Sequence, residues 1–256
     1  MTSILTGVVI ATKDHREHDR FYTLYTRERG KVRILANGTR KFLSKLAPHM
    51  TPFCELTVMV AHGKLWLKLA SVERRRDFPT VRDNLQLFGL GLSLNELIWR
   101  ALGDNEPDEQ LYDFLLDAYS WIQTLPELSP KRMRFVQSAL TLKWLVLIGF
   151  GQHCEACVHC RTEAHEVAEP HVTVAHGGLV CGNCYQQRRF EFADARELTP
   201  EVLSALRFLA RAPFESLLTD RLDPLLEPLT DVQDAFVQYH VERELRVPTF
   251  LEHIVT

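Results

Sequence analysis

The sequence predicts a multidomain α+β protein, in which a small N-terminal β-barrel precedes a helical domain with an embedded metal-binding module. Three observations predict this class. Short runs of alternating or β-branched residues occupy roughly the first 72 positions, helical periodicity replaces them from Pro79 onward, and five of the six cysteines lie between Cys154 and Cys184. The predicted division is a barrel over 1–79, helices over 80–152, a metal module over 153–190 and helices over 191–256.

About five short strands are predicted in the N-terminal part. The run TGVVIAT is rich in β-branched residues, RFYTLYT alternates, and KVRILAN places every second apolar residue on one face. The stretch CELTVMVAHGKLWLKLASV indicates a hairpin that turns at His62-Gly63, while Gly30 and Gly38 mark further turns. Few helix signals interrupt these strands, so a small barrel is expected.

Helix signals dominate the rest of the chain. PDEQLYDFLLDAYSWIQTL has apolar residues spaced three and four apart, which predicts a helix over 107–124 with Pro107 in its first turn. Ser129-Pro130 and Thr199-Pro200 each combine an N-cap residue with proline at the first helical position. Thr230 and Gln233 predict a capping box for the last helix, TDVQDAFVQYHVEREL.

The cysteines indicate a metal site. Cys157-x2-Cys160 and Cys181-x2-Cys184 are 20 residues apart, a spacing typical of four-cysteine zinc modules. Cys154-x2-Cys157 has the same spacing, so spacing alone leaves that pair open. Histidines 153, 159, 165, 171 and 176 are further possible ligands. Four thiolates leave no position for water or substrate, so one structural zinc ion is expected, with Cys154 as the surplus, buried cysteine.

Charge is distributed unevenly. Residues 1 to 80 carry 15 Lys+Arg against 7 Asp+Glu, whereas the remaining 176 carry 15 against 26. A basic barrel can neutralise phosphates, and an acidic remainder suits protein partners. Near the basic stretch TRERGKVRILANGTRKFLSK, Tyr22, Tyr25 and Phe42 are candidates to stack bases, although the barrel core is the favoured position for the two tyrosines. Phosphate contact is expected of Arg40, Lys41 and Lys45 beside the glycine turn; the predicted DNA-binding set also includes Arg33 and, from the resemblance described below, Arg20 and Lys31.

Signals for catalysis or membrane insertion are weak. The sequence has no GxxxxGK[ST], GxGxxG, HExxH or GxSxG motif. In REHDR, Glu17 and Asp19 are expected to form surface ion pairs with Arg16 and Arg20 rather than an acid–base pair. The N-terminus does not resemble a signal peptide, and the longest apolar stretch is too short to span a bilayer. A cytoplasmic protein is therefore expected, and the family resemblance described below adds the expectation that it is nucleoid-associated and not an enzyme.

Several motifs occur together in a specific order. They are Glu17-His18-Asp19-Arg20, the turns from Thr26 to Lys31 and from Ala36 to Lys41, the segment GFGQHCEACVHC with GGLVCGNC, and LTPEVLSALRFLARAPFESLL with YHVERELRVPTFL. This order resembles the RecO family of bacterial recombination mediators across nearly the whole chain. That family commonly has Gly-Phe/Leu-x-Pro-x-Leu-x-x-Cys before its first ligand. Here Gln152 stands at the proline position, Cys154 at the leucine position and Cys157 at the ligand.

The resemblance implies an OB-fold barrel that binds DNA, followed by helices with a zinc module, and no enzymatic turnover. It implies that the protein binds single- and double-stranded DNA, anneals complementary strands, and with RecR promotes RecA loading onto DNA coated by single-strand-binding protein (SSB). Residue by residue, the resemblance assigns functional roles only to Arg20, Lys31, Arg40, Lys41 and the two cysteine pairs. No membrane or small-molecule substrate is implied.

The resemblance also implies that the helical domain receives the C-terminal tail of SSB on a basic, apolar patch. Arg132, Arg134 and Lys143 are the nearest candidates, but the favoured interpretation is that they decorate the exposed face of one helix. An alternative to the whole interpretation is a zinc-stabilised OB-fold scaffold that serves proteins of transcription or translation.

Overall fold

A computed structural model describes residues 1–240 and begins with five β-strands, as the alternating sequence predicts. They are β1 (Thr2–His15), β2 (Asp19–Thr26), β3 (Gly30–Ala36), β4 (Cys54–His62) and β5 (Leu67–Asp77). These strands close into a barrel in the order β1-β2-β3-β5-β4. All neighbours are antiparallel except β3 and β5, which pair in parallel at Ile34 and Leu67. Five closed strands in this order form an OB-like barrel, as predicted.

Alternation along the strands separates the barrel core from its outer face. The core contains apolar residues from all five strands, with Tyr22 and Leu24 of β2 packed beside Val32 and Ile34 of β3. Tyr22 and Tyr25 are both buried, so neither ring is available to stack a base. The turns predicted at Gly30 and Gly38 are confirmed, because both residues adopt positive φ (61° and 66°).

Three helices follow the barrel within the same structural unit, which comprises Met1–Pro126. They are α1 (Pro79–Asp83), α2 (Leu85–Ala101) and α3 (Glu109–Ile122). Asn84 caps α2 by accepting hydrogen bonds from the amides of Gln86 and Leu87. Asp108 caps α3, so Pro107 precedes the cap instead of lying in the first turn as predicted.

The second unit begins at Glu127 and contains the remaining long helices, α4 (Pro130–Leu147), α6 (Pro200–Arg211) and α7 (Leu226–His240). The caps predicted at Ser129 and Thr199 are confirmed, since their hydroxyls accept the amides of Arg132 and Val202. Residues 241–256 lie outside the described residues, and with them the end of the last predicted helix. The predicted division into four segments stays a prediction.

The capping box predicted at Thr230 is wrong. Helix α7 begins four residues earlier, at Leu226, directly after a 3-10 helix over Asp220–Leu225. Thr230 therefore lies inside the helix, where its hydroxyl donates to the main-chain oxygen of Leu226 at 2.6 Å. Gln233 is fully buried instead of reaching back to a free amide.

The cysteine-rich segment lies between α4 and α6 and has little regular structure. It contains a 3-10 turn (Ala164–Glu166), the strands β6 (Pro170–Thr173), β7 (Gly178–Cys181) and β8 (Arg196–Glu197), and the short helix α5 (Gly182–Gln187). The three strands form an antiparallel sheet in the order β7-β6-β8. Among residues 1–240, no helix has the length and apolar character needed to cross a membrane.

Candidate metal centre and basic barrel surface

Four cysteines converge in the second unit. The Sγ atoms of Cys157, Cys160, Cys181 and Cys184 all lie within 4.8 Å of one another. The Sγ atoms of Cys160 and Cys181 are 3.6 Å apart. Around a tetrahedral zinc ion with Zn–S bonds of about 2.3 Å, neighbouring sulfurs are separated by roughly 3.8 Å. The four thiols can therefore hold one metal ion.

Local structure brings the two cysteine pairs together. Cys157 and Cys160 lie on a tight turn in which Arg161 adopts positive φ (65°) and donates its amide to the main-chain oxygen of Cys157. Cys181 ends β7, and Cys184 lies in α5 directly after it. The amide of Cys181 is 3.4 Å from the Sγ of Cys157, which joins the pairs through a hydrogen bond that suits a thiolate acceptor.

Cys154 lies outside this group. Its side chain is buried, and burial raises the pKa of its thiol to about 12. Among the candidate histidines, His159 approaches the sulfur of Cys184 at 3.6 Å, while His171 stacks on Tyr185 with ring centroids 4.2 Å apart. Within residues 1–240 the metal-binding group consists of the four cysteines without a histidine.

Two of the predicted DNA-binding cations share one carboxylate on the barrel. The Nε atoms of Arg20 and Arg40 lie 2.7 Å and 3.5 Å from the carboxylate oxygens of Asp14. The pairing expected for Arg20 is thus corrected, because its partner is Asp14 and not Glu17 or Asp19. Asp19 instead accepts the amide of Gly38 at 2.8 Å, which secures the turn after β3.

Lys31 has structural partners. Its Nζ atom donates to the main-chain oxygens of Trp99 (2.9 Å) and Leu102 (2.6 Å), at the end of α2. Asp104 lies 3.4 Å away, and only 12% of the lysine side chain is exposed. The ammonium group thus satisfies carbonyls that the helix end leaves unpaired. DNA contact by Lys31 stays a prediction. Its ammonium group already binds two carbonyl oxygens and lies beside the carboxylate of Asp104.

The remaining predicted cations are exposed. Arg33 lies over the ring of Phe21, with its guanidinium carbon 4.0 Å from the ring centroid. Lys41 and Lys45 lie in the loop after β3 and are also exposed. In the part of the chain that the structure describes, no carboxylate forms an ion pair with any of these three. Together with Arg20 and Arg40 they form what we call the basic barrel surface, whose contacts with DNA stay predictions.

Two of the basic residues considered for SSB docking have internal roles. Arg132 is buried and donates to the main-chain oxygens of Leu217 and Thr219 and to the carboxylate of Asp223. Lys143 donates to the main-chain oxygens of Leu209 and Ala212, and burial lowers the pKa of its ammonium group. The interpretation favoured from the sequence, that these residues decorate an exposed helix face, is therefore wrong for Arg132 and Lys143.

Arg134 differs from these two residues. It forms an ion pair at 2.8 Å with Asp234 and keeps 56% of its side chain exposed. Of the three candidates, it alone retains the exposure that was expected of a surface cation.

Sequence reasoning missed two residues of the barrel surface. Asp14 holds both Arg20 and Arg40, and Trp66 is 43% exposed beside Phe21. The position of Trp66 three residues after Gly63, in the connection between two predicted strands, was the available signal. Asp14 and Arg20 face each other in the register of β1 and β2, so this pair required the exact position of the turn between the two strands.

Comparison with known proteins agrees with this architecture. A family model described as "Recombination protein O N terminal" matches residues 1–75, which cover the strands of the barrel up to β5. A second, described as "Recombination protein O C terminal", matches residues 82–248. The two matches leave only a short gap between Arg76 and Val81, at the end of the barrel.

Individual relatives match over the same length. The chain is 28% identical over 251 residues to a protein of Geobacter metallireducens named "DNA repair protein RecO", covering 97% of this chain and 96% of the relative. A protein of the same name from Anaeromyxobacter dehalogenans is 28% identical over 256 residues, covering 98% and 96%. One from Desulforamulus reducens is 24% identical over 252 residues, covering 98% and 94%. Because one family model alone matches more than half of the chain, the chain belongs to the recombination protein O family.

Proposed function

We propose that this protein is a recombination mediator in DNA repair. It binds single- and double-stranded DNA, anneals complementary strands, and with RecR promotes RecA loading onto SSB-coated single strands. The observation that carries this proposal is the match of the family to both parts of the chain, together with relatives named for DNA repair. Such a protein works by binding DNA and proteins, in the cytoplasm at the nucleoid, and not by turnover of a substrate.

The charges on the barrel support DNA binding. Arg33, Lys41 and Lys45 are exposed, and none has a carboxylate partner among residues 1–240. Phosphate contacts release counterions and make binding salt-dependent, so free cations on one surface are what a sequence-independent DNA-binding protein needs. Arg20 and Arg40 add to this surface, although each must share Asp14 with the other.

Zinc is the metal that the four cysteines fit best. Thiolate ligands in tetrahedral geometry favour zinc among the common cytoplasmic metals. A bound zinc ion would hold the turn of Cys157 and Cys160 against the end of β7, and so stabilise the module between α4 and α6. Four cysteine ligands leave no open coordination position, so we assign the metal a structural role.

Strand annealing tests this function. Complementary strands coated with SSB are mixed, and duplex formation is followed by fluorescence transfer between labelled ends. The chain should accelerate duplex formation, and RecR should change its activity on the coated strands. Annealing at the rate of SSB-coated strands alone would refute the proposal. A protein denatured by heat and a barrel variant lacking the charges of Arg40 and Lys41 serve as controls.

A further inference from the structure

The outer face of β2 and β3 has two ends with different surroundings. Tyr25 and Lys31 pair across the strands at one end, where the helices of the same unit cover them. The ring of Tyr25 lies 6.3 Å from that of Tyr112 in α3, and Lys31 bonds the end of α2. At the other end, Phe21 pairs with Leu35, and the neighbouring Arg33 is exposed. Among the described residues of the first unit, this second end is therefore the one that leaves an exposed side chain for a ligand.

A stack of four side chains lies at the accessible end, because the ring of His15 also contacts that of Phe21, with centroids 4.8 Å apart. The guanidinium carbon of Arg33 lies 4.0 Å from the ring centroid of Phe21 and 5.5 Å from that of Trp66. The rings of Phe21 and Trp66 meet edge to face, with centroids 5.2 Å apart and an interplanar angle of 70°. Phe21 is only 4% exposed, whereas Trp66 is 43% exposed. Phe21 therefore lies beneath the stack, whereas the side chains of Trp66 and Arg33 keep part of their surface exposed.

The turn between β4 and β5 holds Trp66 in place. The amide of Gly63 donates to the main-chain oxygen of Trp66 at 3.1 Å, which closes a four-residue turn. A Cβ atom at Gly63 would lie 2.6 Å from that same oxygen, closer than any side chain permits. Glycine at this position thus allows the tight turn that brings Trp66 against Phe21.

Unpaired positive charge surrounds the stack. Lys13 pairs in register with Phe21, and Lys68 pairs with Leu35, so both lysines lie on the same outer face. Both are exposed. Within the described part of the chain, neither lysine nor Arg33 forms an ion pair with a carboxylate, in contrast to Arg20 and Arg40. An exposed aromatic plane beside free cations is the combination that holds a single strand, because bases stack and phosphates bind the cations.

We propose that Trp66 and Arg33 form a stacking subsite for an unpaired base, which makes the barrel prefer single-stranded DNA over duplex. This inference rests on the proposed function and adds the residues that distinguish the two DNA forms. In a duplex the base faces are already stacked on one another, so only the phosphates reach this surface. The lysines at positions 13 and 68 bind phosphates of either form.

The first experiment compares variants of the full chain by fluorescence anisotropy, with a labelled single strand and with a duplex of the same sequence. Trp66→Ala should weaken single-strand binding by about 5- to 150-fold, the equivalent of one lost stacking contact. Duplex affinity should change by less than about twofold, and the salt dependence should stay the same because no charge is lost. Trp66→Phe should retain most of the affinity. Arg33→Lys keeps the charge and should lose part of the single-strand preference.

The second experiment changes the oligonucleotide as well as the protein, so that its wild-type arm cannot be explained by a folding defect. An oligonucleotide of abasic residues presents phosphates without bases. The wild-type chain should bind it as weakly as Trp66→Ala binds the normal strand, and Trp66→Ala should not distinguish the two oligonucleotides. Equal binding of both oligonucleotides by the wild-type chain, or an unchanged preference for the normal strand in Trp66→Ala, would overturn the subsite.

These results separate the subsite from the function on which it rests. Wild-type single-strand binding that Trp66→Ala leaves intact overturns the subsite and leaves the mediator function standing. A wild-type chain that binds no DNA at all overturns both.

Discussion

Lys31 donates a hydrogen bond from its ammonium group to the main-chain oxygen of Leu102, at 2.6 Å. The bond joins β3 of the barrel to the end of α2, where a helix leaves its last carbonyls without partners. The cation also interacts favourably with the negative end of the helix dipole. Lys31, which the family resemblance predicts as a DNA contact, therefore stabilises the first unit.

Replacing Lys31 by methionine should lower stability more than DNA affinity. The variant keeps the aliphatic stem but leaves two carbonyls without their donor, so the free energy of unfolding should fall by about 1–3 kcal/mol. Urea unfolding measures this loss. The matched control is Lys45→Met, whose exposed side chain should cost less than about 0.5 kcal/mol. A stable Lys31→Met variant with strongly weakened DNA binding would restore Lys31 as a DNA contact.

The double variant Arg40→Ala/Lys41→Ala should weaken binding to single strands and duplex alike. Each lost phosphate contact should reduce the slope of log affinity against log salt by about 0.9 for duplex and about 0.7 for single strands. Titrations at several salt concentrations measure the slope. Binding that neither salt nor this double variant changes would exclude the basic barrel surface. Arg40 shares Asp14 with Arg20, so removing the Arg40 side chain should contribute less to the loss of DNA affinity than removing the Lys41 side chain.

Cysteine variants test the metal centre. Cys160→Ser should lose the bound metal, because it removes one of four converging sulfurs. Cys154→Ser should retain it, although a buried hydroxyl without a defined partner lowers stability. Metal content is measured by elemental analysis of the purified variants and by release to a colorimetric chelator. Loss of metal from Cys154→Ser together with full retention in Cys160→Ser would contradict this ligand set.

Arg132 and Arg134 differ although they lie two positions apart on α4. Arg132→Met should lower the free energy of unfolding by about 2–4 kcal/mol, since it leaves two carbonyls and Asp223 without their donor. Arg134→Met removes a surface ion pair and should cost less than about 1 kcal/mol. Denaturant unfolding of both variants measures the difference. Equal, small effects would show that Arg132 is a surface cation after all.

Much of the fold follows from local sequence patterns. Strands with one buried face produce a period of two, which identified the five strands of the barrel, and Ser129 and Thr199 identified two helix starts. The two Cys-x2-Cys pairs likewise predicted that their four sulfurs lie close together in the folded protein. These signals succeed because each depends on residues close together in the chain.

The misses have a common physical cause. Thr230 has the residue types of a capping box, but packing of the preceding 3-10 helix starts α7 earlier. Lys31 and Arg132 carry the same charge as surface cations, and only distant carbonyls show that they are structural. Tyr22 and Tyr25 are not among these misses, because their burial confirms the core position that the sequence favoured. Contacts between residues far apart in sequence determined each outcome.

The most direct test of the mediator function is the rate at which labelled RecA replaces SSB on a single strand. With this protein and RecR present, RecA should assemble markedly faster than on the SSB-coated strand alone, and Arg40→Ala/Lys41→Ala should reduce the effect. RecA assembly that is unchanged by the wild-type chain, at concentrations that saturate its DNA binding, would contradict the account.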